Sequence, residues 1–153
     1  MSEMHKAAES SIEEELRKNG VYVSTTAGTS MKPMLRNRRD RIVLLPTEGK
    51  ILKKWDLPMY RRPDGKYILH RIIEVKEDHY VIRGDNTFVK EYVPHEWVLG
   101  YVSEFYRGTK HISADSRAYR RYAAFWHAIY PLRVPFHQLR MLASRIKRKL
   151  IRS

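Results

Sequence analysis

The sequence predicts a mainly β fold, with a short N-terminal helix before the strands and two helices after them. Three observations predict it. Between positions 21 and 106, short β-branched and aromatic runs alternate with turn-forming breaks. No strand–helix–strand alternation interrupts them. From about Ser113 the apolar spacing changes to the three-and-four rhythm of helices. With 153 residues, 42% of them hydrophobic, the chain has room for a modest core and is not a disordered polymer.

The first helix is read from "SSIEEELRKN" (10–19). Ser11 and Glu14 stand at capping-box spacing, Ile12 and Leu16 share a face, and Gly20 supplies a stop. The strands are read from "VYV" (21–23), "RIVLLP" (41–46), "LPMYRR" (57–62), "YILHRIIEV" (67–75), "HYVIRG" (79–84) and "EWVLGYVSEFY" (96–106). Their separators, "TEGK", "RPDGK", "KEDH" and "GDNT", have turn composition. "RPDGK" is the clearest hairpin signal, because Asp-Gly suits a tight turn. In the C-terminal part, Tyr119, Tyr122, Trp126 and Ile129 form one stripe that ends before Pro131. After Pro135, the residues Phe136, Leu139, Leu142, Ile146 and Leu150 form a second. Arg140, Arg145, Lys147, Arg148 and Lys149 crowd its other sides. The expected organisation is a β domain with its N-terminal helix over 1–106 and a basic helical extension over 107–153.

Charge separates the same two parts. Residues 1–106 hold 18 Lys/Arg against 16 Asp/Glu, whereas 107–153 hold 12 against the single acid Asp115. The tail therefore points to an anionic partner, a membrane surface or nucleic acid, or serves solubility alone. No run of about 18 apolar residues occurs, so no transmembrane helix is expected. The polar, acidic start is no signal peptide, and the expected address is cytoplasmic. The absence of cysteine excludes a disulfide framework, a thiol nucleophile and a cysteine-based zinc site. None of the seven histidines pairs with another at ligand spacing, and no phosphate-cradling glycine loop occurs. Neither a metal nor a cofactor is expected.

The stretch "TAGTSMKPML" (25–34) carries the main functional signal. A serine hydroxyl needs a nearby base and donors for the oxyanion it creates. Gly28 permits close backbone approach before Ser30, and Pro33 stiffens the turn after it. Amides near Ser30 are candidate oxyanion donors. The candidate oxyanion and substrate-binding positions are Gly28, Thr29, Met31 and Pro33, the last for its rigid turn and not as a donor. His70 is the candidate base. In a strand from Tyr67 to Val75 it would share a half-buried face with Ile68 and Ile72, which favours a neutral imidazole. Asp85, in "RGDN", could orient that imidazole, and Glu91 is a second candidate. Each residue also has an ordinary reading: a turn serine, a structural strand histidine, a turn-forming "GDN".

Taken in order, these stretches resemble the signal peptidase I superfamily, which includes the self-cleaving LexA-like repressors. The resembling region runs from about Val23 to Tyr106. "GTSMKPML" looks like the family's serine box, "KKWDLPMYRR" like the next box, "ILHRIIEV" like the base-bearing strand, and "IRGDNTFVKE" like the Gly-Asp-Asn box. The resemblance implies a β catalytic core with Ser30 as nucleophile. With His70 where most bacterial members have lysine, it is closer to the archaeal and endoplasmic-reticulum variant. There an acid downstream of Gly-Asp-Asn completes the site, and Glu91 stands where the family usually has Asp. Asp85 ranks first for site membership, because it matches the box itself, and Glu91 second. Trp55 stands where the second box normally has glycine. Gly28 stands where many bacterial members have an oxyanion-donating serine.

The resulting expectation is a cytoplasmic serine endopeptidase that cuts a peptide or protein substrate, for example a leader-bearing peptide. With no transmembrane anchor in the chain, removal of secretory signal peptides is not expected. Self-cleavage at Ala27-Gly28 is discounted, since that bond lies too close to Ser30 to fold back into the site. Two other readings stand beside this one. The basic tail with a small β body fits a nucleic-acid-binding protein, ranked below the peptidase because it leaves the order of the boxes unexplained. The same fold could also serve as an inactive binding module. Residues 136–152 are expected to contact the body or a partner protein, or to lie on the inner face of an anionic membrane.

Overall fold

A computed structural model describes residues 12–151 of the chain. Ser11 of the expected capping pair and Arg152 of the basic tail lie outside the described residues. Helix α1 (residues 12–19) is followed by nine strands and two helices. The strands are β1 (Tyr22–Thr25), β2 (Arg41–Pro46), β3 (Pro58–Arg61), β4 (Tyr67–Leu69), β5 (Arg71–Val75), β6 (His79–Arg83), β7 (Glu91–Pro94), β8 (Val98–Arg107) and β9 (Lys110–Ser113). A 3-10 turn, His95–Trp97, leads into β8. Helices α2 (Arg117–Ala128) and α3 (Tyr130–Ile151) close the described chain. The fold is therefore mainly β with the three helices expected.

All strand pairs are antiparallel. One sheet runs β1-β2-β8-β3-β4, with β9 on the second half of β8, and the other runs β5-β6-β7. The ten-residue β8 organises the larger sheet, since β2, β3 and β9 all pair with it. β8 crosses position 106 and β9 returns along it, so the sheet extends into the basic part of the chain. The β3–β4 hairpin is turned by Arg62–Lys66. Gly65 N–H donates to the Arg62 carbonyl at 2.9 Å, and Gly65 takes φ +85°, a left-handed conformation that glycine adopts without side-chain strain.

The stretch 67–75 is not one strand. It breaks at His70, so that β4 pairs β3 in one sheet while β5 pairs β6 in the other. Such a corner lets one run of residues serve two sheets. His70 therefore sits at the corner and not on a strand face beside Ile68 and Ile72.

Two apolar clusters fill the body. One joins Leu44, Val102 and Phe105 of the large sheet to Met31, Met34 and Leu35 of the Ser30 loop and to Tyr119 of α2. The other packs Tyr60, Leu52 and Val98 against Ile72, Ile82 and Val93 of the small sheet. The Ser30 loop is thus part of the core.

The last helix also departs from expectation. It begins at Tyr130 and runs through Pro135 instead of starting after it. Pro131 fits a first helical turn, where its missing N–H costs nothing. Pro135 forfeits one helical hydrogen bond. The turns around it are held from outside, by Tyr130, Arg133 and His137 against the 85–88 loop. Phe88 stacks on His137 with ring centroids 3.9 Å apart and on Tyr130 at 5.6 Å.

Candidate active site

Ser30 is carried on a loop whose two ends are stitched together. Thr26 N–H donates to the Asp40 carbonyl at 3.0 Å, and Arg38 N–H donates to the Thr26 carbonyl at 2.7 Å. Thr26 is buried, and its hydroxyl donates to the Arg36 carbonyl at 2.8 Å. The fully buried Asp40 carboxylate accepts from the Arg36 amide at 2.8 Å and from its guanidinium at 3.0 Å. Met31, Met34 and Leu35 anchor the loop's apolar side. The alternation of small polar and apolar residues in "TAGTSMKPML" thus has a local purpose: the methionines face inward while Ser30 stays half-buried.

The Gly-Asp-Asn turn after β6 clamps this loop. Asn86 N–H donates to the Ser30 carbonyl at 2.7 Å, and the Asn86 amide donates to the Thr29 carbonyl at 3.1 Å. Gly84 lies in the contact itself. A methyl group there would sit 2.7 Å from the Ser30 carbonyl oxygen and 3.0 Å from both Nε2 and Cδ2 of His70. Only a residue without a side chain lets the serine loop and the imidazole close on this turn.

His70 is 7% exposed and presents its two nitrogens to different surroundings. Nε2 lies against Gly84, the residue that also packs on the Ser30 carbonyl. Nδ1 lies 3.3 Å from Glu91 Oε1 and 3.5 Å from the Tyr60 hydroxyl. Burial pushes the His70 pKa below its ordinary value, while the Glu91 charge pulls it part of the way back. The imidazole is therefore neutral at neutral pH, with a carboxylate behind it. Glu91 is held by Arg62, whose Nε donates to Oε2 at 2.9 Å and whose Nη2 also donates to the carboxylate. Burial alone would raise the Glu91 pKa, but the Arg62 hydrogen bond and charge bring it down, so it stays ionised. The Tyr60 phenol is pushed up by burial and by the Glu91 charge, and stays protonated.

Of the two candidate orienting acids, the structure brings Glu91 to His70 and directs Asp85 elsewhere. The Asp85 carboxylate takes a bidentate pair from Arg71 Nε and Nη2, both at 2.7 Å. Both side chains are buried, and the Tyr119 hydroxyl joins them at 2.7 Å from Arg71 Nη1. Burial would lower the Arg71 pKa, yet Asp85 and Tyr119 outweigh it and raise it. The Asp85 carbonyl meanwhile accepts from Trp126 Nε1 at 2.9 Å and from Arg133. Asp85 therefore ties the turn to α2 and α3, and its side chain is spent on Arg71.

The other expected positions divide. The Gly28 amide is occupied by Asn37 Oδ1 at 2.9 Å, so it offers no donor to an oxyanion in this state. Thr29 supplies its carbonyl to Asn86 and to Lys32 N–H. The Pro33 carbonyl accepts from Arg107 at 3.0 Å. Met31 is a buried anchor. No hydrogen bond among the described residues uses the Ser30 or Met31 N–H. Tyr60, Arg62 and Asn86 were not anticipated as site residues. Asn86 lies inside the quoted "GDN", whereas nothing in the sequence links position 62 to position 91.

Ser30 and His70 line one cleft of about 270 Å³. Its walls include Tyr22, Ser24 and Thr25 of β1 and Tyr67, Ile68 and Leu69 of β4. These are the first and last strands of the β1-β2-β8-β3-β4 path, so the sheet curls until both ends of that path flank the same cleft. Among the described residues no group of three or more His, Asp or Glu side chains could hold a metal ion. No protein-family model matches the chain, and no curated protein matches it either.

Proposed function

We propose that the protein is a serine endopeptidase of the signal-peptidase-like type, with Ser30 as nucleophile, His70 as general base and acid, and Glu91 as the orienting carboxylate. One observation carries this reading. His70 and Ser30 line one cleft, His70 Nε2 packs against the same Gly84 as the Ser30 carbonyl, and Nδ1 faces a carboxylate that a second residue keeps ionised. A histidine buried only for packing has no need of that polarity.

The chemistry follows from the roles. Neutral His70 Nε2 takes the Ser30 hydroxyl proton as Oγ attacks a peptide carbonyl carbon. The Ser30 and Met31 amides stabilise the oxyanion. The imidazolium is steadied by Glu91 and passes its proton to the leaving amine as the peptide bond breaks. Water, deprotonated by the same nitrogen, then hydrolyses the ester on Ser30. Among the described residues no hydrogen bond joins Ser30 to His70 in the free chain. Such bonds often tighten only when substrate is bound. The substrate fits as an extended segment in the cleft, pairing with the open edge of β1 or β4.

The test is covalent. A fluorophosphonate or penem probe should label the wild-type protein at Ser30, and labelling should disappear in Ser30→Ala and in His70→Ala. Undiminished labelling of Ser30→Ala would sink the proposal. So would labelling that survives intact in a folded His70→Ala.

A further inference from the structure

Helix α3 has two halves that behave differently. Its first turns are docked: Arg133 lies over the Trp126 ring at 3.8 Å and donates to the Asp85 carbonyl, and the Arg83 guanidinium covers Tyr130 at 3.5 Å. From Gln138 to Ile151 every residue is exposed. With Phe136 just before it, most of the large apolar residues of this segment share one face, while Met141 and Ile151 lie off it. Phe136, Leu139, Leu142, Ile146 and Leu150 follow steps of three or four and so form one stripe. They are 70%, 62%, 55%, 51% and 73% exposed, which leaves a continuous apolar face in water. Docking of this stripe on the body of the same chain, one of the sequence expectations, does not occur among the described residues.

Charge indicates what covers it. After Asp115 the chain contains no acidic residue. Arg140, Arg145, Lys147, Arg148 and Lys149 occupy the remaining faces of the exposed half, and all are exposed. A second copy seated on the stripe would bring two strongly cationic helices together. Nucleic acid would neutralise the cations and leave the leucines and isoleucine in water. An anionic lipid surface satisfies both faces at once, with the apolar stripe in the acyl boundary and the cations at the headgroups. The exposed half is about 21 Å long at the helical rise, and no helix among the described residues is long and apolar enough to cross a membrane.

We propose that residues 136–151 form an in-plane anchor that binds the chain to anionic membrane surfaces. The stripe enters the interface, and the docked first turns fix the body to the lipid plane through the 85–88 loop. That loop also clamps Ser30, so the docked turns from which the anchor projects and the cleft share one loop. The anchor does not depend on the catalytic reading, and Ser30→Ala should bind lipid as the wild type does.

The experiment is vesicle flotation of the full chain. Vesicles of equimolar phosphatidylcholine and phosphatidylglycerol should bind it at least about tenfold more tightly than pure phosphatidylcholine, with the difference shrinking as salt is raised. Leu142→Asp/Ile146→Asp should lower the anionic-vesicle affinity at least about tenfold without changing the melting temperature, because both positions are exposed. Arg145→Glu/Arg148→Glu should do the same through charge. Equal binding to neutral and anionic vesicles, or unchanged binding by Leu142→Asp/Ile146→Asp, would overturn the proposal. Absence of vesicle binding would also overturn it, whether polyuridylate binds instead or the chain forms a dimer that the aspartate variant abolishes.

Discussion

At the scale of single residues, the site depends on very small tolerances. Gly84 has no room for a methyl group, and two of the three nearest atoms belong to the buried His70 ring while the third is backbone. Gly84→Ala should therefore displace the imidazole or the Ser30 loop. Overpacking of this kind costs about 1–3 kcal/mol, so urea unfolding should register a loss of that size together with loss of probe labelling. Wild-type stability in this variant would exclude a close contact of Gly84 with the imidazole and the Ser30 carbonyl. Glu91 acts on the same imidazole through charge. Because burial holds the His70 pKa below the ordinary 6.5, the acidic limb of kcat/KM should have its midpoint below that value. Glu91→Gln removes the charge that pulls the pKa up and leaves Arg62 unneutralised. Both changes disfavour the imidazolium, so the limb should move to still lower pH while kcat/KM falls about a hundredfold. A limb that stays put or moves up would exclude Glu91 from the orienting role. Trp55 illustrates a different tolerance. It holds φ +79°, a left-handed conformation uncommon for a bulky residue. The backbone there is held on both sides, with Trp55 N–H donating to the Ile72 carbonyl at 2.9 Å and the Trp55 carbonyl accepting from Tyr119 at 3.0 Å.

At the scale of elements, what could be read in advance was what each strand carries in its own pattern. β2 and β6 are dense in β-branched and apolar residues, and the β3–β4 hairpin announces itself through Asp-Gly. β7, "EYVP", and β9, "KHIS", have too few such residues, and both lie at sheet edges where a polar strand is tolerated. The corner at His70 was invisible because alternation encodes which face a side chain takes, not which sheet its strand joins. The same gap affects the site. Ser30, His70 and the turn at 84–86 could be read from the order of their motifs. The pairing of Asp85 with Arg71 could not, because Arg71 lies next to His70 in sequence and only the corner sends the two side chains apart. That pair has its own consequence. Removing one partner of a buried ion pair leaves a charge without compensation and costs about 3–5 kcal/mol. Asp85→Ala should destabilise the fold by that amount in urea unfolding. Arg71→Met added to Asp85→Ala should recover part of the loss, since the orphaned cation is then gone. Strictly additive losses would mean the pair is not coupled as its geometry indicates.

At the scale of the whole molecule, a nearly neutral body and a cationic helix meet at the 85–88 loop. Gly84 and Asn86 face the serine loop, the Asp85 carbonyl accepts from Trp126 and Arg133, and Phe88 receives His137 and Tyr130. The proximal part of α3 therefore supports the body, and the distal part only projects from it. Two truncations separate these parts. Ending the chain after His137 removes, among the described residues, only exposed ones, and surface changes usually stay within about 0.5 kcal/mol, so the melting temperature should move by less than about 2 °C. Ending it after Ala128 strips the Arg133 and Tyr130 contacts and the stack on Phe88, and should lower the melting temperature several times further. Probe labelling at Ser30 should survive the first cut and weaken in the second, because the loop that clamps the serine loses its outer support. If the two cuts lower the melting temperature equally, the distal helix is bound to the body in solution. Its apolar stripe would then be covered before any membrane is met.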